Sequence, residues 1–328
     1  FGVSYRNLKL MMDVARDMER ICPDAWLIQS GNPVFEGTTL MTRETDLKII
    51  GLCHGHYGYQ IIARTIGLDP EQVTWVAPGL NHVIWLTEFR YQGQDAYPLV
   101  DQWIETQAED YWRARADDPK YANELEDRMS RAVIDQYRRF GLLPVGDATR
   151  AGGWWYKTDT ATRVYWYGPT GGFASDLHLP PFFKRHYARI EAIHEVARDE
   201  SRSVLEAFPA VKTREQQVPI IDALTNDVGG TFQINVPNQG VLPGVADDVV
   251  TEMQAIIDKG GIHRIQVQPL PKKIMLEVIH PRVLAMEWQL ETYLSGDRGM
   301  WLDGLLSVSH FQSGGHTVSY AQAKAYLD

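Results

Sequence analysis

The chain has 328 residues, 44% of them hydrophobic and 23% charged, a balance that allows one large core or two ordinary ones and excludes a disordered or fibrous chain. A formal net charge of −10 without a clustered basic face argues against nucleic acid as a partner, and no apolar run approaches the length of a membrane span. With only Cys22 and Cys53, a disulfide framework is not expected, and a reduced, cytoplasmic setting fits.

Leu8, Met11, Met12, Ala15 and Met18 recur at helical spacing, so residues 1–21 read as an amphipathic helix. The run 25–29 (Ala-Trp-Leu-Ile-Gln) suits a buried strand ending at the turn residues Ser30-Gly-Asn-Pro33. A helix over 35–43 and a second buried strand over 47–51 complete a β-α-β unit, whose functional loops lie after the strand ends. Further strands are expected at 74–76 and 83–91, the latter running to a turn at Gly93. Helical sequence follows from Pro98, including 122–140 closed by Gly141; the aromatic stretch 154–167 reads as a strand pair. Helices over 182–208 and 214–224, a strand over 232–236 and a long helix over 272–294 complete the order, with no internal repeat.

The run Cys53-His54-Gly55-His56 follows directly on a buried strand and places a thiolate and two imidazoles on one loop. A thiolate with an imidazole suits a divalent transition metal; the alternative is a packed cysteine with structural histidines. Gly79-Leu-Asn-His82 brings another imidazole to the start of a strand, either as a second ligand or as a hydrogen-bonded turn histidine. Asn32, before Pro33, either grips a hydroxyl or a cofactor or merely starts a turn. Gly146-Asp-Ala-Thr-Arg150 sets a carboxylate and a guanidinium on one loop, either a base beside a sugar clamp or a surface ion pair. Asn235-Val-Pro-Asn238 and Asp247-Asp248 read as turns, and Trp154, Trp155, Trp166 and Tyr167 as either core or a sugar-stacking wall.

Taken in order, Asn32–Thr39, Gly51–His56, Gly79–His82, Gly146-Asp147 with Arg150, and Val236-Pro-Asn238 resemble the family 4 glycoside hydrolases. The resemblance implies an α/β fold like the lactate and malate dehydrogenases. Residues 1–80 would form the remaining part of a Rossmann-like NAD-binding domain, and 81–328 a larger α+β domain for substrate binding and oligomerisation. It implies NAD and a divalent metal, typically Mn2+, the metal held by Cys53 and His82 with substrate oxygens. In this chemistry NAD oxidises the sugar C3 hydroxyl, a base removes the C2 proton, the aglycone is eliminated, water adds and the hydride returns, unlike the usual two-carboxylate route. By position, Asp147 would be the C2 base, His54 the acid, Asn32 a cofactor and substrate contact, and His56 and Arg150 substrate contacts. The Cys-His-Gly-His run looks like the branch acting on α-linked glucuronic or galacturonic acid; His56, if protonated, would lend positive charge near the uronate, while the sequence does not show which cation contacts its carboxylate.

The family's strand and glycine-rich pyrophosphate turn do not occur in these residues, so an N-terminal piece is expected beyond this numbering, and 307–317 fits the family poorly. The partner expected is a small sugar or oligosaccharide, and the assembly a homodimer or homotetramer. Alternatives are an α-glucosidase or α-galactosidase of the same family, a 2-hydroxy-acid dehydrogenase on the related scaffold, or a binding protein derived from it.

Overall fold

A computed structural model describes residues 2–117, 127–151, 153–172, 175–312 and 319–325. Helix α1 (Gly2–Ile21) buries Leu8, Met12 and Ala15 against α2 (Val34–Glu44), confirming the amphipathic reading. The two helices approach so closely at Gly37 that a Cβ there would lie 2.3 Å from the Met11 sulfur. Strands β1 (Trp26–Gln29) and β2 (Lys48–Gly51) pair in parallel, and α2 connects them, as the apolar runs and turn residues predicted. A cis Asn32–Pro33 bond leads into α2, and Asn7 donates to the Asn32 carbonyl at 2.8 Å. The buried Glu36 of α2 meets Arg282 at 2.6 Å, while Arg43 joins Glu287 and Asp248.

After α3 (Gly58–Thr65), strand β3 (Val73–Val76) pairs with β6 (Glu88–Tyr91), and β6 with β7 (Gln94–Asp95), in a separate three-stranded sheet. Between them the hairpin of β4 (Gly79–Leu80) and β5 (Val83–Trp85) joins the main sheet. The single strand expected over 83–91 is therefore two strands in two sheets, divided at Leu86-Thr87, where Leu86 N–H bonds Leu143 in one layer and Thr87 N–H bonds Val76 in the other. Helices α4 (Tyr97–Thr106) and α5 (Ala108–Asp117) follow. Of the helix expected over 122–140, the first five residues lie outside the described residues. The rest begins at α6 (Arg131–Phe140), where the Ser130 hydroxyl accepts from Val133 N–H, and closes on left-handed Gly141.

Strand β8 (Pro144–Gly146) leads into the short α7 (Ala148–Ala151). The aromatic stretch is not a strand pair: Trp154–Lys157 forms a 3-10 turn and α8 spans Thr160–Tyr167. Its strand propensity is overruled by the Asp159 side chain, which caps Thr162 N–H, and by Gly168 at the far end. The helix expected over 182–208 is α9 (Leu179–Arg198) and α10 (Val204–Ala207), separated where Asp199 turns the chain onto Ser201. Helix α11 (Gln217–Asn226) precedes β9 (Gly230–Pro237), β10 (Val250–Asp258) and β11 (Gly261–Arg264). Strand β10 goes beyond the turn read at Asp247-Asp248. Helices α12 (Lys272–Ile274) and α13 (His280–Ser295), joined by a π-turn over Met275–Ile279, match the long helix expected there. Helices α14 (Arg298–Gln312) and α15 (Tyr320–Ala325) follow it.

Among the described residues the main sheet runs β1-β2-β9-β10-β4-β5-β8, with β11 beside β10. The architecture is α/β as expected. Only β1 and β2 pair in parallel there; β9 and every later pair are antiparallel. The division expected at residue 80 falls in the β4–β5 turn, so stretches on both sides of it share one sheet.

Candidate functional site

Three chain segments meet at one edge of this sheet: the loop after β2, the β4–β5 turn and the end of β8. Leu52 N–H donates to the Gln29 carbonyl, so the ends of β1 and β2 lie side by side, with Asn32 leaving one and Cys53 the other. The Cys53 loop packs on β8 through two glycines: a Cβ on Gly55 would stand 3.1 Å from the Gly146 Cα. Gly146 itself has φ 66°, which suits a residue without a Cβ. His82 is held by β8 as well, its carbonyl accepting from Asp147 N–H at 2.8 Å.

The side chains follow the backbone. His82 Nδ1 lies 2.9 Å from an Asp147 carboxylate oxygen, and the Cys53 side chain lies close enough to the same imidazole to raise its pKa. Arg128, just ahead of α6, donates to the Gly146 carbonyl and stands 3.8 Å from the other Asp147 oxygen. The side chains of Asp147 and Arg128 are mostly buried, and that of His82 is about one-third open. Burial by itself lowers the His82 pKa, but the hydrogen bonds and charges of Asp147 and Cys53 outweigh it and raise the value to about 10. Behind the site, fully buried Glu252 on β10 accepts from Asn81 Nδ2 at 3.1 Å and Gln233 Nε2 at 3.4 Å. Burial pushes its carboxyl up, with nearby His82 and these donors acting against the shift. Next to it on β9, the buried Asn235 side chain has no hydrogen-bond partner at either amide atom.

The structure thus brings Cys53, His82 and Asp147 together. His54 occupies the same loop but is three-quarters exposed, its Nδ1 3.5 Å from Glu215. Asn32 is exposed at the neighbouring strand end. Arg150 belongs to α7, three residues beyond Asp147, and its side chain lies outside the described residues. The positive charge expected of His56 is corrected: the ring is buried, stacked on Trp75 with centroids 5.6 Å apart, and burial lowers its pKa to about 4, so it is neutral at pH 7. The aromatics divide between the two readings, with Trp154 and Trp155 exposed and Tyr167 in the core beside Tyr156. Arg128 and Glu252 were not anticipated. A lone glutamate inside the apolar run Val249–Ile257 is a signal that could have found Glu252; the polar stretch around Arg128 offers none.

The donor set tests the metal implied by the resemblance. Among the described residues no group of three or more His, Cys, Asp or Glu side chains is placed to hold a metal ion between them, so a metal here would depend on two protein donors. A thiolate and an imidazole do fit an open centre, and a ligating histidine typically gives its second ring N–H to a carboxylate, the place Asp147 occupies. The raised His82 pKa has a consequence without metal. Its protonation contributes stability fully present below the ordinary value of 6.5 and lost as pH rises through about 10. Thermal melts of the chelator-treated chain are therefore expected to drop between those limits, and His82→Gln is expected to remove that slope. Equal slopes in the two proteins would contradict the pairing.

A cysteine, a histidine and an aspartate thus converge at the strand ends of a mixed α/β sheet, where such sheets carry their functional loops. The chain belongs to glycosyl hydrolase family 4: the family model "Family 4 glycosyl hydrolase" matches residues 2–68, and its C-terminal domain model matches residues 77–307. Among curated relatives, an α-galactosidase of Bacillus subtilis is 25% identical over 83% of this chain and 58% of its own length. An α-galacturonidase of Thermoanaerobacterium saccharolyticum is also 25% identical, over 89% of this chain and 63% of its own. The chain thus spans about three-fifths of these relatives. The fold is shared with a 6-phospho-α-glucosidase from gut microorganisms, solved in complex with NAD and Mn2+: TM-score 0.70 at 17% identity, covering all of this chain and 70% of that one. Among the described residues no helix is long and apolar enough to cross a membrane.

Proposed function

We propose that this protein hydrolyses α-glycosidic bonds of glucuronides or galacturonides, with NAD and a divalent metal such as Mn2+ as cofactors. The observation that carries the reading is the meeting of Cys53, His82 and Asp147 from three separate segments. Support comes from the family, from the α-galacturonidase relative and from the NAD and Mn2+ in the structural neighbour.

Cys53 and His82 are the residues that would hold the metal. For NAD the chain presents the parallel β1–β2 pair with Asn32 at its end, but no glycine-rich pyrophosphate cradle occurs in its sequence, so no step is derived from how NAD is seated. When bound, NAD supplies a hydride acceptor for C3 and the metal a Lewis acid for its oxygen, and together they make the C2 proton acidic. Asp147 takes that proton. Arg128 holds the Gly146 carbonyl and lies beside Asp147, which keeps the carboxylate aimed and places a guanidinium where a uronate carboxylate can pair with it, the task His56 cannot perform. His54, exposed on the loop's outer side, is positioned to protonate the departing oxygen, and Asn32 to bind a hydroxyl. A sugar or oligosaccharide is the only partner this requires, in a cytoplasmic homodimer or homotetramer.

The test is a panel of nitrophenyl α-glycosides and α-glycuronides assayed with NAD, Mn2+ and a thiol reductant. Release from an α-glucuronide or α-galacturonide is the expected result. Cleavage confined to neutral or 6-phosphorylated glucosides and galactosides would shift the reading to the family's other specificities.

A further inference from the structure

We infer that Glu252 is a positioning residue that holds His82 in its metal-binding conformation from behind. The inference rests on the proposed metal centre. Among the described residues His82 is one of four non-glycine residues in left-handed backbone, with φ 68°. An L side chain occupies that region only when its surroundings impose it. Two restraints act on it. From the β8 side, Asp147 N–H donates to the His82 carbonyl and the Asp147 carboxylate takes the ring Nδ1. From the opposite side, the Glu252 carboxylate holds the preceding residue, accepting a hydrogen bond from the Asn81 side chain at 3.1 Å, and its charge lies close to His82.

Glu252 is suited to this by where it is anchored. It lies in the middle of the sheet, opposite Asn235 of β9 and Gly79 of β4, so its backbone cannot move without breaking ladder bonds on both sides. Gln233 donates to it from β9 and also to the Ala77 carbonyl just before β4. Every partner shown for the carboxylate is a donor, which an acceptor-only carboxylate satisfies and an apolar side chain cannot. A buried carboxylate costs more solvation than an apolar residue here, and a role in shaping the β4–β5 turn accounts for its presence.

The test is Co2+ binding by the full chain, followed through the thiolate-to-cobalt absorption band of Cys53 with Mn2+ as competitor, alongside thermal melts. Glu252→Gln is expected to weaken Co2+ binding by about 10- to 100-fold, the range for residues that orient a metal ligand, and to shift the band while the fold persists. Asn81→Ala is expected to act in the same direction with a smaller change. Wild-type affinity and an unshifted band in Glu252→Gln would overturn the inference and leave the metal centre standing. If Glu252→Gln fails to fold, an unchanged affinity and band in Asn81→Ala overturns it. Absence of any thiolate band in the wild type would overturn the metal reading and this inference with it.

Discussion

Asp147→Asn is expected to lower turnover by about 100- to 10,000-fold, the usual contribution of a positioned base, while the fold and substrate binding persist. The carboxylate has two tasks in this geometry, and the substitution separates them. As a base it must accept the C2 proton, which an amide of the same shape cannot do. As the partner of His82 Nδ1 it orients the imidazole, which an amide oxygen can still do in part. The loss should therefore remain in kcat when metal is raised to saturation, with any metal-orienting part disappearing. In deuterated water the active protein should place deuterium at C2 of the released sugar, because the proton removed there is replaced from solvent. Unlabelled sugar would exclude elimination, and near-normal turnover in Asp147→Asn would assign the base elsewhere.

Cys53→Ser is expected to abolish activity by loss of metal, with binding of Mn2+ weakened by more than about 100-fold, since replacing a ligand exceeds the loss from residues behind it. A serine hydroxyl is a far poorer ligand than a cysteine sulfur for a divalent transition metal. The fold should survive, because Cys53 is only partly buried on a loop and its replacement is nearly isosteric. Calorimetric titration with Mn2+ beside a melting curve checks both halves. Retained activity after exhaustive chelation would remove Cys53 and His82 from the chemistry. The same thiol makes the protein sensitive to oxidants, and that sensitivity should persist when the exposed Cys22 is replaced by alanine.

Much of the frame was legible without coordinates. The β1–α2–β2 unit follows from two short apolar runs punctuated by Ser30-Gly-Asn-Pro33, and α1 from its apolar spacing. Cys53 and His82 are legible because each borders a strand-like run, where loops carry chemistry, and Asp147 because it shares a short loop with Arg150. Local signals failed where two of them competed. Residues 154–167 have the aromatics of a strand, yet a capping aspartate and a closing glycine make them helical. Residues 83–91 read as one strand because periodicity cannot register a corner at which hydrogen bonding passes from one sheet to another.

By itself the sequence determined which side chains are available and at which strand ends they emerge, since strand and turn propensities act over a few neighbouring residues. Only the tertiary structure decided what meets: Gly55 against Gly146 brings Cys53 and Asp147 to the same imidazole, across more than ninety residues of chain. It also decided charge. His54 and His56 are near neighbours on one loop, yet one is open beside Glu215 and the other is buried against Trp75, where loss of solvation, not visible in sequence, keeps the ring neutral.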